Sequence, residues 1–102
     1  MAKKILQINF KFNVTPAEYG DAASSLADDF AKVGGLRWKI WIMNKENNEA
    51  GGIYLFVDEA SLEAFLAGSL AATVTNHPAI SDMSVKQFDV MGDISAITRG
   101  PI

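Results

Sequence analysis

His77 is the one histidine in the chain, and its ordinary titration lies nearest neutral pH, so it is the natural candidate for a general base. It stands in "TNHPA", where the same letters also suit a solvated loop histidine. Asn9, in "QINFKF", carries an amide N–H that could stabilise an oxyanion, or could bond across a seam between two chains. Tyr54 offers a hydroxyl donor and Trp41 an aromatic wall, since both combine a flat apolar body with a polar edge; interface anchors have the same make-up. Lys39, with Arg37 nearby, could attract an anionic ligand or simply snorkel over a strand edge. Trp38 and Phe56 would line a pocket if one opened beside them. The pair Gly51-Gly52 opens the β-rich run "AGGIYLFV", where bare backbone at Gly52 would leave a floor on which a planar ring could stack. The candidate set is therefore Asn9, Tyr54 and His77 for chemistry, and Trp38, Lys39, Trp41, Gly52 and Phe56 for holding a substrate.

The composition excludes other chemistries. Without cysteine there is no thiolate catalysis, disulfide or sulfur-rich metal site, and one histidine cannot make a multi-histidine metal centre. A lone Gly-Gly pair is no dinucleotide fingerprint, so the expectation is a protein with no cofactor: no metal, no flavin, no haem. Nine Lys plus Arg against twelve Asp plus Glu give a net charge of −3, scattered along the chain, which argues against a nucleic-acid partner. In "MAKKILQINF" Gln7 and Asn9 interrupt the apolar stretch after the lysines, and no run approaches the ~18 apolar residues of a membrane span. A cytoplasmic setting suits the missing cysteines.

The elements that must position these residues are legible by period. From Ile5 to Phe12 the chain alternates, with Leu6, Ile8, Phe10 and Phe12 on one side, as a half-buried strand does. "TPAE" then supplies Thr15 as a helix cap, a proline at the first helical position and Glu18 at capping-box spacing. Tyr19, Ala22, Leu26, Phe30 and Val33 form the apolar stripe of that helix, which Gly34-Gly35 ends. "LRWKIWIM" (36–43) and "AGGIYLFV" (50–57) read as a hairpin around "NKENNE". Asp58 caps a second helix running to about Val74, "SVKQFDV" (84–90) is a fourth strand, and "MGDISAITRGPI" is a short tail.

Strand, helix, strand, strand, helix, strand is the order of the ferredoxin-like plait: one α+β domain over residues 1–102, with a four-stranded antiparallel sheet and both helices on one face. A hairpin centred on 44–49 sets Trp41 opposite Gly52. On that register one face carries Leu36, Trp38, Ile40, Ile42, Ile53, Leu55 and Val57 and is expected to join the apolar side of the first strand as the core. The other holds Gln7, Asn9, Lys11, Arg37, Lys39, Trp41, Gly52, Tyr54 and Phe56, with Gln87 and Asp89. Two helices cover only one side, so the aromatics of that mixed face predict a homodimer packed sheet on sheet, enclosing a pocket for a small hydrophobic or aromatic ligand.

The runs "WKIW", "NEAGGIYLF", "DEASLEAFL" and "KQFDV" resemble the YdhR-like mono-oxygenase family over nearly the whole chain. The resemblance implies a dimeric α+β barrel. It also implies kinship with cofactor-independent monooxygenases that oxidise phenolic polycyclic substrates, hence a small aromatic or polycyclic substrate here. Residues 68–83 depart from the pattern. Haem-degrading monooxygenases share the architecture and use a first-strand asparagine, a tryptophan and a haem-ligating histidine; Asn9 and His77 match such places, but Phe56 and Val57 stand where the tryptophan would be. A non-catalytic dimeric module holding a small ligand is the alternative from a different class.

Overall fold

The computed structural model describes residues 2–102. The chain runs β1 (Lys4–Phe12), α1 (Pro16–Ala31), β2 (Leu36–Asn44), β3 (Glu49–Phe56), α2 (Glu59–Leu66), α3 (Ser69–Thr75), β4 (Ile80–Asp89) and α4 (Gly92–Ile97). The four strands make one antiparallel sheet in the order β2-β3-β1-β4, the ferredoxin-like arrangement. Among the described residues no helix is long and apolar enough to cross a membrane.

Local chemistry fixes the element ends. Thr15 Oγ1 accepts the Glu18 N–H at 3.1 Å while the Thr15 N–H donates to Glu18 Oε1 at 3.0 Å, closing the capping box. Gly35, at φ +79°, makes the left-handed turn after α1, and its carbonyl accepts the Val57 N–H at 2.9 Å. Asp58 Oδ1 accepts the Ser61 N–H at 2.8 Å and starts α2. The second helix is not continuous: Gly68 takes an extended conformation, φ −87° and ψ 171°, and divides it into α2 and α3. The expected tail contains the short α4. β4 starts at Ile80, four residues before the alternation becomes visible, because its pairing with β1 shifts between Asn9 and Lys11 and Asp82, at φ +53°, lies in the irregular stretch.

The hairpin register is as expected, with Trp41 opposite Gly52, Lys39 opposite Tyr54 and Ile40 opposite Ile53. The assignment of faces is not. β1 pairs Leu6 with Tyr54, Ile8 with Gly52 and Phe10 with Ala50, and residues directly opposite share a face. The apolar side of β1 therefore joins the Gly52-Tyr54-Phe56 side of β3, and this is the side the helices cover. The core consists of Leu6, Ile8, Phe10, Phe12, Ala50, Tyr54 and Phe56 from the sheet and Phe30, Leu62 and Phe65 from the helices. Aromatic rings interlock there: Tyr54 stacks on Phe56 with centroids 6.1 Å apart, and Phe65 meets Tyr54 at 5.3 Å and Phe56 at 5.7 Å. Such pairs add about 0.5–1.5 kcal/mol each beyond buried area.

The uncovered face carries Trp38, Ile40, Ile42, Ile53 and Leu55 with Gln7 and Asn9, and Lys86 and Phe88 from β4. Ile40 is 51 % and Phe88 47 % exposed. The C-terminal segment returns to this face, where the Trp38 indole N–H donates to the Pro101 carbonyl at 2.7 Å.

Candidate active site

Between the covered face of the sheet, α1 and the α3–β4 connection lies an apolar cavity of about 160 Å³. Alternation along β2 and β3 aims Lys39, Trp41 and Tyr54 at it, and the stripe of α1 supplies Tyr19, Ala22, Leu26 and Phe30. His77 borders it from the turn after α3. A void of roughly 150 Å³ lined by apolar side chains accepts a benzene ring. One aromatic ring therefore matches the volume.

Lys39 is the unusual member. Its Nζ lies 3.5 Å from the centroid of Phe30, 3.3 Å from Trp41 and 4.8 Å from Tyr54, an aromatic box around the amine. Among the described residues it forms no ion pair. Burial brings the ammonium down to about 7, because a charge in this apolar setting loses hydration that no carboxylate replaces. Tyr54, 4 % exposed, has its hydroxyl pushed well above the ordinary tyrosine range by burial. Tyr19 is raised by the same cause. Glu18 reaches the cavity lining, but its carboxylate is spent on the Thr15 N–H, which holds it below the usual carboxylate range.

His77 Nδ1 accepts the Ala79 N–H at 3.1 Å. In the neutral ring the proton then sits on Nε2, so His77 enters this geometry as a hydrogen-bond donor and its acceptor nitrogen is already occupied. In the sequence His77 stands out as the lone imidazole; the backbone bond that fixes its tautomer is not legible in "NHP".

The structure brings Lys39, Trp41, Tyr54 and His77 together and leaves the other candidates elsewhere. Asn9 lies on the uncovered face beside Gln7, Ile42 and Asn44, across the sheet from Tyr54; its Oδ1 is buried without a partner. Trp38 is also on the uncovered face, tied to Pro101, and is neither core nor cavity wall. Phe56 is fully buried and supports Tyr54 from behind. Gly52 does not leave a bare floor: a Cβ there would stand 2.7 Å from Lys39 Cε and 3.1 Å from Tyr54 Cε1, so the lysine stem already crosses it. At Gly51 a Cβ would overlap the Ile8 carbonyl oxygen, so that glycine serves the close approach of β1. In the sequence Phe30 and Tyr19 belong only to a helix stripe; the same spacing that marks a core stripe also lines a cavity, and periodicity cannot separate the two.

Fold and site together define a ferredoxin-like α+β protein with an apolar cavity between sheet and helices. The family described as "Putative mono-oxygenase ydhR" matches residues 5–101, and the chain belongs to that family. Among solved structures it is similar to the NE2512 protein of unknown function from Nitrosomonas europaea, at 20% identity over 90% of this chain and 92% of that one, TM-score 0.75. SnoaB, a cofactor-independent oxygenase from Streptomyces nogalater, is similar at 18% identity over 88% and 94% of the chains, TM-score 0.72. A dimeric ferredoxin-like protein of unknown function from Thermobifida fusca is similar at 18% identity over 87% and 92%, TM-score 0.68. No curated protein matches by sequence.

Proposed function

We propose that the protein is a homodimeric, cofactor-independent monooxygenase acting on a small planar aromatic substrate held in the cavity between the sheet and α1. The observation that carries this reading is an apolar pocket of one-ring size in which Lys39, beside Trp41 and Tyr54, has no counter-ion among the described residues. Membership of the mono-oxygenase family and likeness to an oxygenase that works without a cofactor support it.

A phenol deprotonated to its electron-rich anion can hand an electron to O2 directly. One oxygen atom becomes a ring carbonyl and the other leaves as water, taking the two hydrogens lost from the phenol O–H and the ring C–H. The protein excludes water, holds the ring flat between aromatic walls and stabilises the anion. The Trp41 and Tyr54 rings bound the cavity, and the His77 Nε2–H is a donor at its rim.

The uncovered sheet face, with Ile40 and Phe88 open, supports the dimer, and the Thermobifida neighbour is described as dimeric. The aromatic side predicted to make that contact faces the helices instead, so the interface uses Ile40, Ile42 and Ile53, with Asn9 at the seam. The single-ring reading is supported over the haem alternative by His77 Nδ1, which accepts the Ala79 N–H where an iron-bound histidine would donate, and by a cavity with the volume of a single ring. A cytoplasmic setting is part of the proposal, supported by the cysteine-free composition.

A screen of monocyclic phenols by tryptophan fluorescence, followed by O2 consumption on each ligand that quenches, tests the reading. Quenching should vanish in Trp41→Phe and persist in Trp38→Phe. Saturable binding without O2 uptake would make the protein a ligand-binding module; absence of binding would remove the cavity as the site.

A further inference from the structure

We propose that Lys39 takes the proton of a single-ring phenol bound in the cavity and remains beside it as counter-ion, and that Gly52 is the positioning residue that lets Lys39 reach there. This rests on the cavity being the substrate site. It assigns the base to a residue other than the single histidine.

Among the described residues, the groups facing the cavity leave one proton acceptor free to take a phenol's proton. From β3, Tyr54 is buried and holds its proton firmly; from α1, Tyr19 does the same. Glu18 is engaged with the Thr15 N–H at the start of α1. His77, from the turn after α3, spends Nδ1 on the Ala79 N–H and presents Nε2–H. Lys39, from β2, forms no ion pair among the described residues, and its burial leaves a substantial share of free amine at neutral pH.

In the step itself the phenol O–H bond breaks, its electron pair stays on oxygen, and the proton bonds to the lone pair of Nζ. The ammonium so formed lies over the faces of Phe30 and Trp41, 3.5 Å and 3.3 Å from their centroids, where the ring quadrupoles stabilise it. A neutral pair thus becomes an ion pair inside an apolar cavity without net charge entering it. No oxidant is needed until O2 meets the anion.

Gly52 makes the placement possible. The lysine stem passes over β3 where a Cβ would stand 2.7 Å from Cε, so any other residue at 52 displaces the amine from its box. The glycine matters through Lys39 and touches no substrate.

The probe is 4-nitrophenol, whose anion absorbs in the visible and whose neutral form does not. With protein in excess, and binding followed independently by Trp41 quenching, the bound probe is titrated by absorbance. In the wild type it should remain phenolate to a pH about one to three units lower than in Lys39→Met, because a cation within contact distance favours the anion. Lys39→Arg, a permanent cation that cannot accept the proton, should restore the shift as counter-ion but, unlike the wild type, release the phenol's proton to the buffer on binding at neutral pH, and Gly52→Ala, which keeps the amine but moves it, should lose much of the shift; circular dichroism checks each fold. Equal titration of the bound probe in wild type and Lys39→Met would overturn the role of Lys39 while leaving the cavity as the site. A full shift in Gly52→Ala would overturn the role of Gly52. Absence of saturable quenching in the wild type would overturn the cavity reading and this inference with it.

Discussion

Replacing Gly52 by alanine separates the use of that glycine from the use of its neighbour. The new Cβ would lie 2.7 Å from Lys39 Cε and 3.1 Å from Tyr54 Cε1. Cε is near the end of a flexible side chain and swings away, forfeiting ammonium–aromatic contacts but regaining the hydration whose loss brings the amine down to about 7, so at pH 6 this displacement costs no stability. Tyr54 sits in a packed ring cluster and yields less readily, which costs up to about 1 kcal/mol. Against this, alanine restricts the unfolded chain and returns about 0.4–1 kcal/mol. The expected outcome at pH 6 is no net loss beyond about 0.5 kcal/mol, a fall in Tm of at most about 4 °C for a domain of this size. At Gly51 the obstacle is the Ile8 carbonyl, which is backbone and cannot swing, so Gly51→Ala should cost more than about 2 kcal/mol. A double-mutant cycle completes the assay: at pH 6 the effect of Gly52→Ala in a Lys39→Ala background should differ from that in the wild type by at least about 0.5 kcal/mol, because no displaced amine remains to regain hydration. If the effect is unchanged without Lys39, or equals the cost of Gly51→Ala, the lysine is not what occupies the space over Gly52.

Three further outcomes follow from the geometry. The Lys39 amine falls from its ordinary 10.5 to about 7 in the folded chain, so between those values the unfolded state binds the extra proton. Stability of the wild type relative to Lys39→Met should therefore rise with pH across that window and stay level below it, as urea midpoints will report. Thr15→Ala removes the acceptor for the Glu18 N–H and should cost about 1 kcal/mol in chemical denaturation. Ile40→Glu, and more weakly Asn9→Ala, should shift sedimentation toward the single-chain mass while leaving the monomer fold unchanged by circular dichroism; a dimer untouched by Ile40→Glu would place the interface elsewhere.

Much of this fold is legible in the letters because its signals are local. Thr15, Pro16 and Glu18 spell out a helix start, and a polar loop between two β-rich runs sets Trp41 opposite Gly52. The partner of β3 is a long-range choice. Both sides of β3 carry large apolar residues, Ile53 and Leu55 on one and Tyr54 and Phe56 on the other, so hydrophobicity alone leaves the face that meets Leu6 and Ile8 undetermined. Ring packing against Phe30 and Phe65 decides it, and those residues lie far away in sequence. The reversal of faces explains why Lys39, Trp41 and Tyr54 enclose a cavity while Asn9 and Trp38 stand across the sheet. Gly68 divides a helix whose apolar spacing continues on both sides, a break visible only as one unfavourable residue.

That break at Gly68 also bears on how anything enters. α3 is seven residues long, has no buried side chain and starts without a side-chain cap, yet this segment and the turn after it supply Thr73, Val74 and His77 to the cavity wall. Leu70, Ala71 and Val74 rest against the core, so α3 is held by partly buried contacts alone. Entry of any molecule into the cavity would then depend on the free energy of opening this one short stretch rather than on global unfolding, while the aromatic-packed floor beneath it stays closed.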